Sequence, residues 1–385
     1  MPLSHLNPEQ FAAASAPFGH NLIIASAGTG KTSTIVARIA HLLGSGVEAS
    51  KILLLTFTNK AAAEMLSRLA KKFDKSVVSS VSAGTFHASA YALLRANGFD
   101  ITLKQPGELK LLLKSIVGQR KFHHISDIGA FSAAYLYELY SFFQNTGGDD
   151  FEEWFRAKNG EQSVYSAIYA DILREFEEEK KRFGYADFND LLLYLKRALK
   201  EGDIASKFTE ILVDEYQDTN LLQSSLIDAF GAKSLFCVGD YDQSIYAFNG
   251  ADISIIGSFK ERYKDAKIYA LNTNYRSSQN ILKLANRVIA INPRLYEKEL
   301  KVGREGVFSQ PRLLVYDDLF AQYKGIAQII SSLKVPSDEI AVIFRNNSSA
   351  DGVEIALKEL GIASKRKGSG SFFESREIKA LISLV

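Results

Sequence analysis

Residues 21–43 constrain this chain more than any other stretch. NLIIASA is a continuous apolar run ending in small residues, GTGKT follows, and STIVARIAHLL carries its apolar positions at helical spacing. A strand apolar on both faces that passes within a few residues into a helix is half of a parallel crossover unit. It demands a sheet covered on both sides. In the turn Ala25-Ser26-Ala27-Gly28-Thr29-Gly30-Lys31-Thr32-Ser33, the glycines let successive backbone N–H groups converge on an anion, and the helix N-terminus adds its positive end. The cradle runs from Ala27 through Gly28, Thr29 and Gly30 to Ser33. Lys31 is spaced to reach β- and γ-phosphates, and Thr32 to offer its hydroxyl to Mg²⁺. The first position of the pattern is Ala25 rather than glycine. A glycine turn that merely caps a helix and leaves Lys31 exposed is the alternative; the strand before and the helix after favour the phosphate loop.

Three more runs have the same texture: KILLLTFT at 51–58, EILVDEYQD at 210–218 and SLFCVGD at 234–240, with a helical pattern, KAAAEMLSRLAKKF, at 60–73. The third ends in Asp214 and Glu215. At the carboxyl end of a central strand, Asp214 would face the loop and hold Mg²⁺, directly or through water. Glu215 would orient and deprotonate an attacking water. Acids also end strands at the surface for no chemical reason, but pairing with a phosphate loop makes that the weaker reading. Between about 89 and 188 the texture becomes helical (ELKLLLKSIVG, AAYLYELYSFFQ, YSAIYADILREFEEEKKRF), as expected of an insertion. A second α/β texture begins near 270, with candidate strands KIYAL, RLLVYD and IAVIFR and candidate helices SSQNILKLANRVIA, FAQYKGIAQIISSL and ADGVEIALKELG. The stretch 292–312 is irregular and holds Pro293 and Pro311. The expected fold is thus α/β, a parallel sheet with a helical insertion and the first part of a second α/β domain. The expected boundaries are 1–88 with 189–270, 89–188, and 271–385. The chain ends inside SREIKALISLV, a helical pattern without a stop signal.

Composition narrows the classes. A length of 385 residues is enough for two or three cores. With 46 basic and 44 acidic side chains the formal charge is +2, so any nucleic-acid footprint has to be local. No apolar run approaches the roughly 20 residues of a membrane span, and MPLSHLNPEQ lacks the basic and apolar regions of a signal peptide. Cys237 is the single cysteine. The expectation is a cytoplasmic protein with no membrane partner. His123-His124 have no companion at zinc spacing, and no nucleophile–histidine–acid triad can be argued from loose residues. The run Glu175, Glu177, Glu178, Glu179, Lys180, Lys181, Arg182 is expected to be a solvated helix face.

The surroundings of the two motifs carry a resemblance. Asp214-Glu215-Tyr216-Gln217-Asp218-Thr219-Asn220 resembles the DExQDTN form of UvrD/Rep-type DNA helicases, and Val238-Gly239-Asp240-Tyr241-Asp242-Gln243-Ser244-Ile245-Tyr246 resembles their motif III. Thr56-Phe57-Thr58-Asn59-Lys60-Ala61-Ala62 is similar to motif Ia, Gly84-Thr85-Phe86-His87 to the DNA-contact motif after it, and Asn274-Tyr275-Arg276-Ser277 to motif IV. Leu6-Asn7-Pro8-Glu9-Gln10 is similar to the Q motif; Phe344-Arg345-Asn346-Asn347 and Phe372-Phe373-Glu374 are similar to segments of the second motor domain. These matches run in the family's order over nearly the whole chain. The resemblance implies a P-loop NTPase of RecA-like fold and ATP with Mg²⁺ as its ligands. It implies that Gln10 reads the adenine edge through an amide that donates and accepts, and that Tyr275 stacks on the base. Gln243 would touch the γ-phosphate and couple it to DNA. Arg276 would reach the same phosphate from the second domain.

On the DNA side the resemblance points to Phe57, Tyr246 and Phe248 stacking with bases, contacts worth about 1–3 kcal/mol each. Asn59, Lys60 and His87 would contact the strand nearby, as would Arg345 and Asn347 from the second domain. For Phe57, a place in an apolar core stays open. The family commonly has tryptophan at Phe248 and often arginine at Asn249, so the stacking area is smaller here and a charge is missing. The family's motifs V and VI are not found before Val385. A transition-state arginine is worth about 10³–10⁵ in rate, so this chain is expected to bind nucleotide and DNA but to hydrolyse ATP poorly. The implied activity is ATP-dependent 3′→5′ unwinding from single strands and single–double-strand junctions, in repair or replication. The helicase part of a helicase–nuclease, and a nucleotide-gated DNA-binding regulator that never hydrolyses ATP, remain open. Glu215 and Gln243 argue against the regulator.

Overall fold

Strand formation follows the apolar runs. In a computed structural model, which describes residues 3, 5–120, 128–296, 298, 300–304, 306, 309–367 and 382, the strands are β1 His20–Ala25, β2 Ile52–Thr56, β3 Ser82–Thr85, β4 Thr102–Leu103, β5 Tyr185–Ala186, β6 Glu210–Val213, β7 Ser234–Gly239, β8 Lys267–Leu271, β9 Thr273–Asn274 and β10 Lys301–Val302. The chain divides into two compact units, Met1–Ser309 and Gln310–Val385. In the first, six strands form a parallel sheet in the order β3-β2-β6-β7-β1-β8.

Successive side chains of a strand point to opposite faces, and here both faces are apolar. Leu22, Ile24, Leu53, Leu55, Ile211, Val213 and Cys237 enter one core with helices Phe86–Ala96, Phe188–Glu201 and Leu221–Ala229. Ile23, Leu54, Leu212, Phe236 and Val238 enter the other with helices Lys31–Gly44 and Asn59–Leu69. Burial of each large apolar side chain stabilises by about 1.5–3 kcal/mol. Adjacency of β6, β7 and β1 brings their three carboxyl ends together, and with them the three loops that carry the polar motifs.

The helical stretch has its own core. Helices Pro106–Gly118, Ala133–Asn145, Phe151–Lys158 and Ser166–Phe183 bury Leu109, Leu113, Leu136, Phe155, Tyr169 and Phe176 against one another. The parallel pair β4–β5 closes its stem. Sequence predicts a solvated face for the charged run, but part of it is buried. Lys180 is 1% exposed, with Nζ 2.8 Å from both Asp187 and Asp190. Glu178, Lys181 and Arg182 are exposed. A period-based reading could not foresee acids supplied from beyond the helix.

Other departures concern strands. KIYAL, expected in the second α/β texture, is β8 of the first sheet, paired in parallel with β1. Strand β3, SAGT, carries too little apolar character to stand out. RLLVYD and IAVIFR form no strand among the described residues, and Leu313 there is 90% exposed. A strand exists only with a ladder partner. In the second unit helices Leu319–Ser332 and Ser348–Glu359 pack through Ala327, Val353, Ala356 and Leu357. His123-His124, Phe372-Phe373-Glu374 and all of SREIKALISLV except Ile382 lie outside the described residues. No helix of the described residues is long and apolar enough to cross a membrane.

Candidate nucleotide site

The loop after β1 turns twice through the left-handed region, at Gly28 (φ 76°) and Gly30 (φ 88°), which L side chains rarely adopt. A Cβ at Gly28 would also stand 2.6 Å from Arg276 Cβ, and one at Gly30 would overlap Gln10 Nε2. Glycine is required by conformation and by space. Gly30 is the N-cap of Lys31–Gly44 and makes no side-chain cap bond, leaving the helix's first N–H groups without that partner. Thr29 is buried, its hydroxyl donating 2.7 Å to the Ser26 carbonyl. It braces the turn and does not line the cavity.

The segment 272–277 is fastened onto this loop. Asn274 Nδ2 donates to the Ala27 carbonyl at 2.5 Å, and Tyr275 N–H to the Gly28 carbonyl at 2.8 Å. Asn274 Oδ1 accepts from the N–H groups of Arg276 and Ser277. The N-terminal helix Pro8–Ala14 holds the other side. Its N-cap Asn7 donates to the Tyr275 hydroxyl at 2.7 Å, and Glu9 accepts from the N–H groups of Asn272 and Thr273. Gln10 is buried, its amide closing the capping box with Asn7 and donating 2.9 Å to the Thr29 carbonyl. Tyr275 and Arg276 are left exposed beside the loop.

Strand β6 supplies the acids. Glu215 has φ 50°, the one positive φ outside glycine among the described residues. This turns its carboxylate onto Lys31, with Nζ 2.5 Å from Oε2. Gln217 is buried and bridges: its Nε2 donates to Glu215 Oε2 at 2.9 Å, and its Oε1 accepts from Asp240 N–H at 2.8 Å. Gln243 donates in turn to Asp240 Oδ2. Asp214 is buried beneath, Oδ1 without a partner among the described residues. Burial first and the charge of Glu215 second push its acid up to about 6, against the pull of Lys31. Burial and Glu215 likewise push Asp218 up to about 6. A buried cluster of acids with one ammonium is short of positive charge.

These parts enclose a cavity of about 360 Å³ lined by Ala27, Gly28, Gly30, Lys31, Thr32, Ser33, Arg68, Glu215, Gln243, Tyr275 and Arg276. Most residues expected around a nucleotide are thus gathered in one place. Arg68, Asn7, Glu9, Gln217 and Asn274 were assigned no role from sequence. Arg68 sits at a helical position with an ordinary Glu64 partner. The others act through bonds to distant backbone, which leave no local pattern.

Among the expected DNA residues, Phe57, Tyr246 and Phe248 form an aromatic row, with centroids 4.6 and 5.7 Å apart. Phe57 is 42% and Phe248 77% exposed, so Phe57 is no core residue. Asn59 and Lys60 are exposed at the start of helix Asn59–Leu69. His87 differs from the expectation of an open contact. Its Nε2 is buried without a partner among the described residues, its ring meets Phe188 edge-on at 5.9 Å, and burial lowers its pKa against a hydrogen bond to Asn189. Arg345 and Asn347 are exposed in the second unit.

A parallel sheet whose central strand feeds a double-glycine loop and a helix, with an acid pair ending a strand nearby, defines the P-loop class of RecA-like fold. Residues 6–264 match the UvrD/REP helicase N-terminal domain, and residues 269–385 the UvrD-like helicase C-terminal domain. The chain belongs to the UvrD/REP helicase family. It is 33% identical to the ATP-dependent DNA helicase UvrD2 of Mycobacterium tuberculosis, over 99% of this chain and 58% of that protein. It is 30% identical to the ATP-dependent DNA helicase PcrA of Leuconostoc citreum (97% and 51%), and 33% to DNA helicase II of Haemophilus influenzae (98% and 53%). The chain spans between half and three-fifths of the length of these relatives.

Proposed function

We propose that this chain is the ATP- and DNA-engaging part of a cytoplasmic 3′→5′ helicase that moves on single-stranded DNA and opens single–double-strand junctions in repair or replication. The observation that carries the reading is the shared cavity, where Lys31, Thr32, Glu215, Gln243, Tyr275 and Arg276 meet from four separated stretches of chain. A P-loop protein without catalysis has no need for the strained acid or the glutamine. In domain terms, we assign residues 1–88 with 189–270 to the first motor domain, 89–188 to its helical insertion and 271–385 to a second domain; helix Phe86–Ala96 packs in the core of the first, and residues up to Ser309 belong to its compact unit.

The Lys31–Glu215 pair is the resting state. An entering triphosphate, nested on the N–H groups of residues 27–33, competes for the ammonium and releases Glu215 to orient and deprotonate water. Arg276 and Gln243 meet the γ-phosphate, and Tyr275 with Gln10 borders the base. Thr32 and Asp214 would hold Mg²⁺. The unpartnered buried oxygen of Asp214 and the hard oxygen donor set fit that ion, which supplies charge neutralisation of the phosphates when bound. Phe57, Tyr246 and Phe248 stack bases, with Asn59 and Lys60 along the strand and His87 behind them; Arg345 and Asn347, in the second unit, are separate candidate DNA contacts.

Binding of a fluorescent oligo-thymidine, followed by anisotropy without nucleotide, with Mg·ADP and with Mg·ATPγS, tests the reading. The oligonucleotide is expected to bind with affinities that differ among the three states. One affinity throughout, or none, would overturn it.

A further inference from the structure

Arg294, Tyr296 and Lys298 reach back onto the loop after β7. The Lys298 side chain is 5% exposed, and its Nζ lies 2.6 Å from Asp240 Oδ1 and 2.5 Å from Asp242 Oδ2. The same ammonium stands 4.4 Å over the Tyr241 ring. Arg294 adds a 3.1 Å contact to Asp242 Oδ2. The Tyr241 hydroxyl donates to the Tyr296 carbonyl at 2.7 Å, and the Tyr296 hydroxyl to the carbonyls of Ile256 and Gly257. Two nearly buried carboxylates two residues apart repel each other unless a cation stands between them. Lys298 is that cation.

Asp240 is also the last link to the cavity. One of its oxygens takes Lys298, and the other takes the Gln243 amide. Its N–H binds Gln217, which binds Glu215, which pairs with Lys31. The polar chain is therefore continuous from the phosphate loop to Lys298. With the ammonium gone, Asp240 would be free to turn, and the carboxylate that fixes Gln243 would no longer have a defined position.

We propose that Lys298 is a positioning residue for nucleotide discrimination: by pinning Asp240 it holds Gln243 where the cavity receives a terminal phosphate. The proposal rests on the nucleotide reading of that cavity. Lys298 touches no nucleotide itself, so its loss weakens response to the third phosphate and leaves the diphosphate largely alone.

The test is the preference of the full chain for Mg·ATPγS over Mg·ADP, measured by calorimetry. Lys298→Met is expected to lower the preference by about ten-fold, the effect of one lost charge-assisted contact, with ADP affinity unchanged. Gln243→Ala is expected to lower it similarly, and the double variant to lose no more than either alone, because both act through one contact. Should the methionine variant not fold, Lys298→Gln, which keeps donors between the two acids, carries the same comparison with the same direction. A wild-type chain with no triphosphate preference would overturn the nucleotide reading and this proposal with it. A wild-type preference that the Lys298 variants leave intact, or losses that add in the double variant, would overturn the role of Lys298 alone.

Discussion

Glu215 sits in a backbone conformation that costs a side chain other than glycine roughly 1–3 kcal/mol, and its carboxylate is what the strain positions, against Lys31 and Gln217. In a full-length protein, Glu215→Gln should preserve Mg·ATPγS binding while lowering single-strand-stimulated ATP turnover by about 10²–10⁴. Unchanged turnover would take the base role from Glu215. At this scale the sequence was most informative where chemistry and local geometry coincide. Gly28, Gly30, Lys31 and Thr32 are legible together because one short turn requires all four. Asn274, which ties the 272–277 segment to the phosphate loop, has no role legible in the sequence, because its partner lies 247 positions away.

Elements read less evenly. Strands β1, β2, β6 and β7 are apolar on both faces and announce themselves; β3 is small and polar, and β8 could be assigned to a sheet only through its partner β1. The charged helix Ser166–Phe183 shows why surface patterns mislead, since Lys180 turns inward to Asp187 and Asp190. Burial and the charge of Asp187 push the Asp190 acid up to about 7, against Lys180. A folded value above the unfolded one makes the ionised acid a cost above about pH 7, relieved as pH falls toward the usual carboxylate range. Lys180→Met should therefore destabilise by about 3–5 kcal/mol near pH 8. The loss should shrink at about pH 5, where the stranded Asp190 carboxyl takes up its proton. Urea melts at the two pH values check this; an equal loss at both would mean that Lys180 is not the counter-ion.

At the scale of the molecule, the family, the parallel sheet and the position of the phosphate cavity were legible because motifs recur in order along the chain. The fate of RLLVYD and IAVIFR was not, since their pattern says how a strand would face a core and not whether a neighbour pairs with it. The exposed aromatic row on the first unit predicts that Phe248→Ala weakens oligo-thymidine binding by about 1–3 kcal/mol in an anisotropy titration, with Mg·ATPγS affinity unchanged. Equal DNA affinity would remove Phe248 from the interface. The predictions for Glu215 and Lys298 presuppose a triphosphate seated on the loop after β1, and calorimetric titration of Mg·ATPγS into the wild-type chain and Lys31→Ala measures that directly. The wild-type chain should bind and the variant should lose at least about 100-fold in affinity, as befits a lysine shared between two phosphates. Equal affinity of the two chains would contradict it.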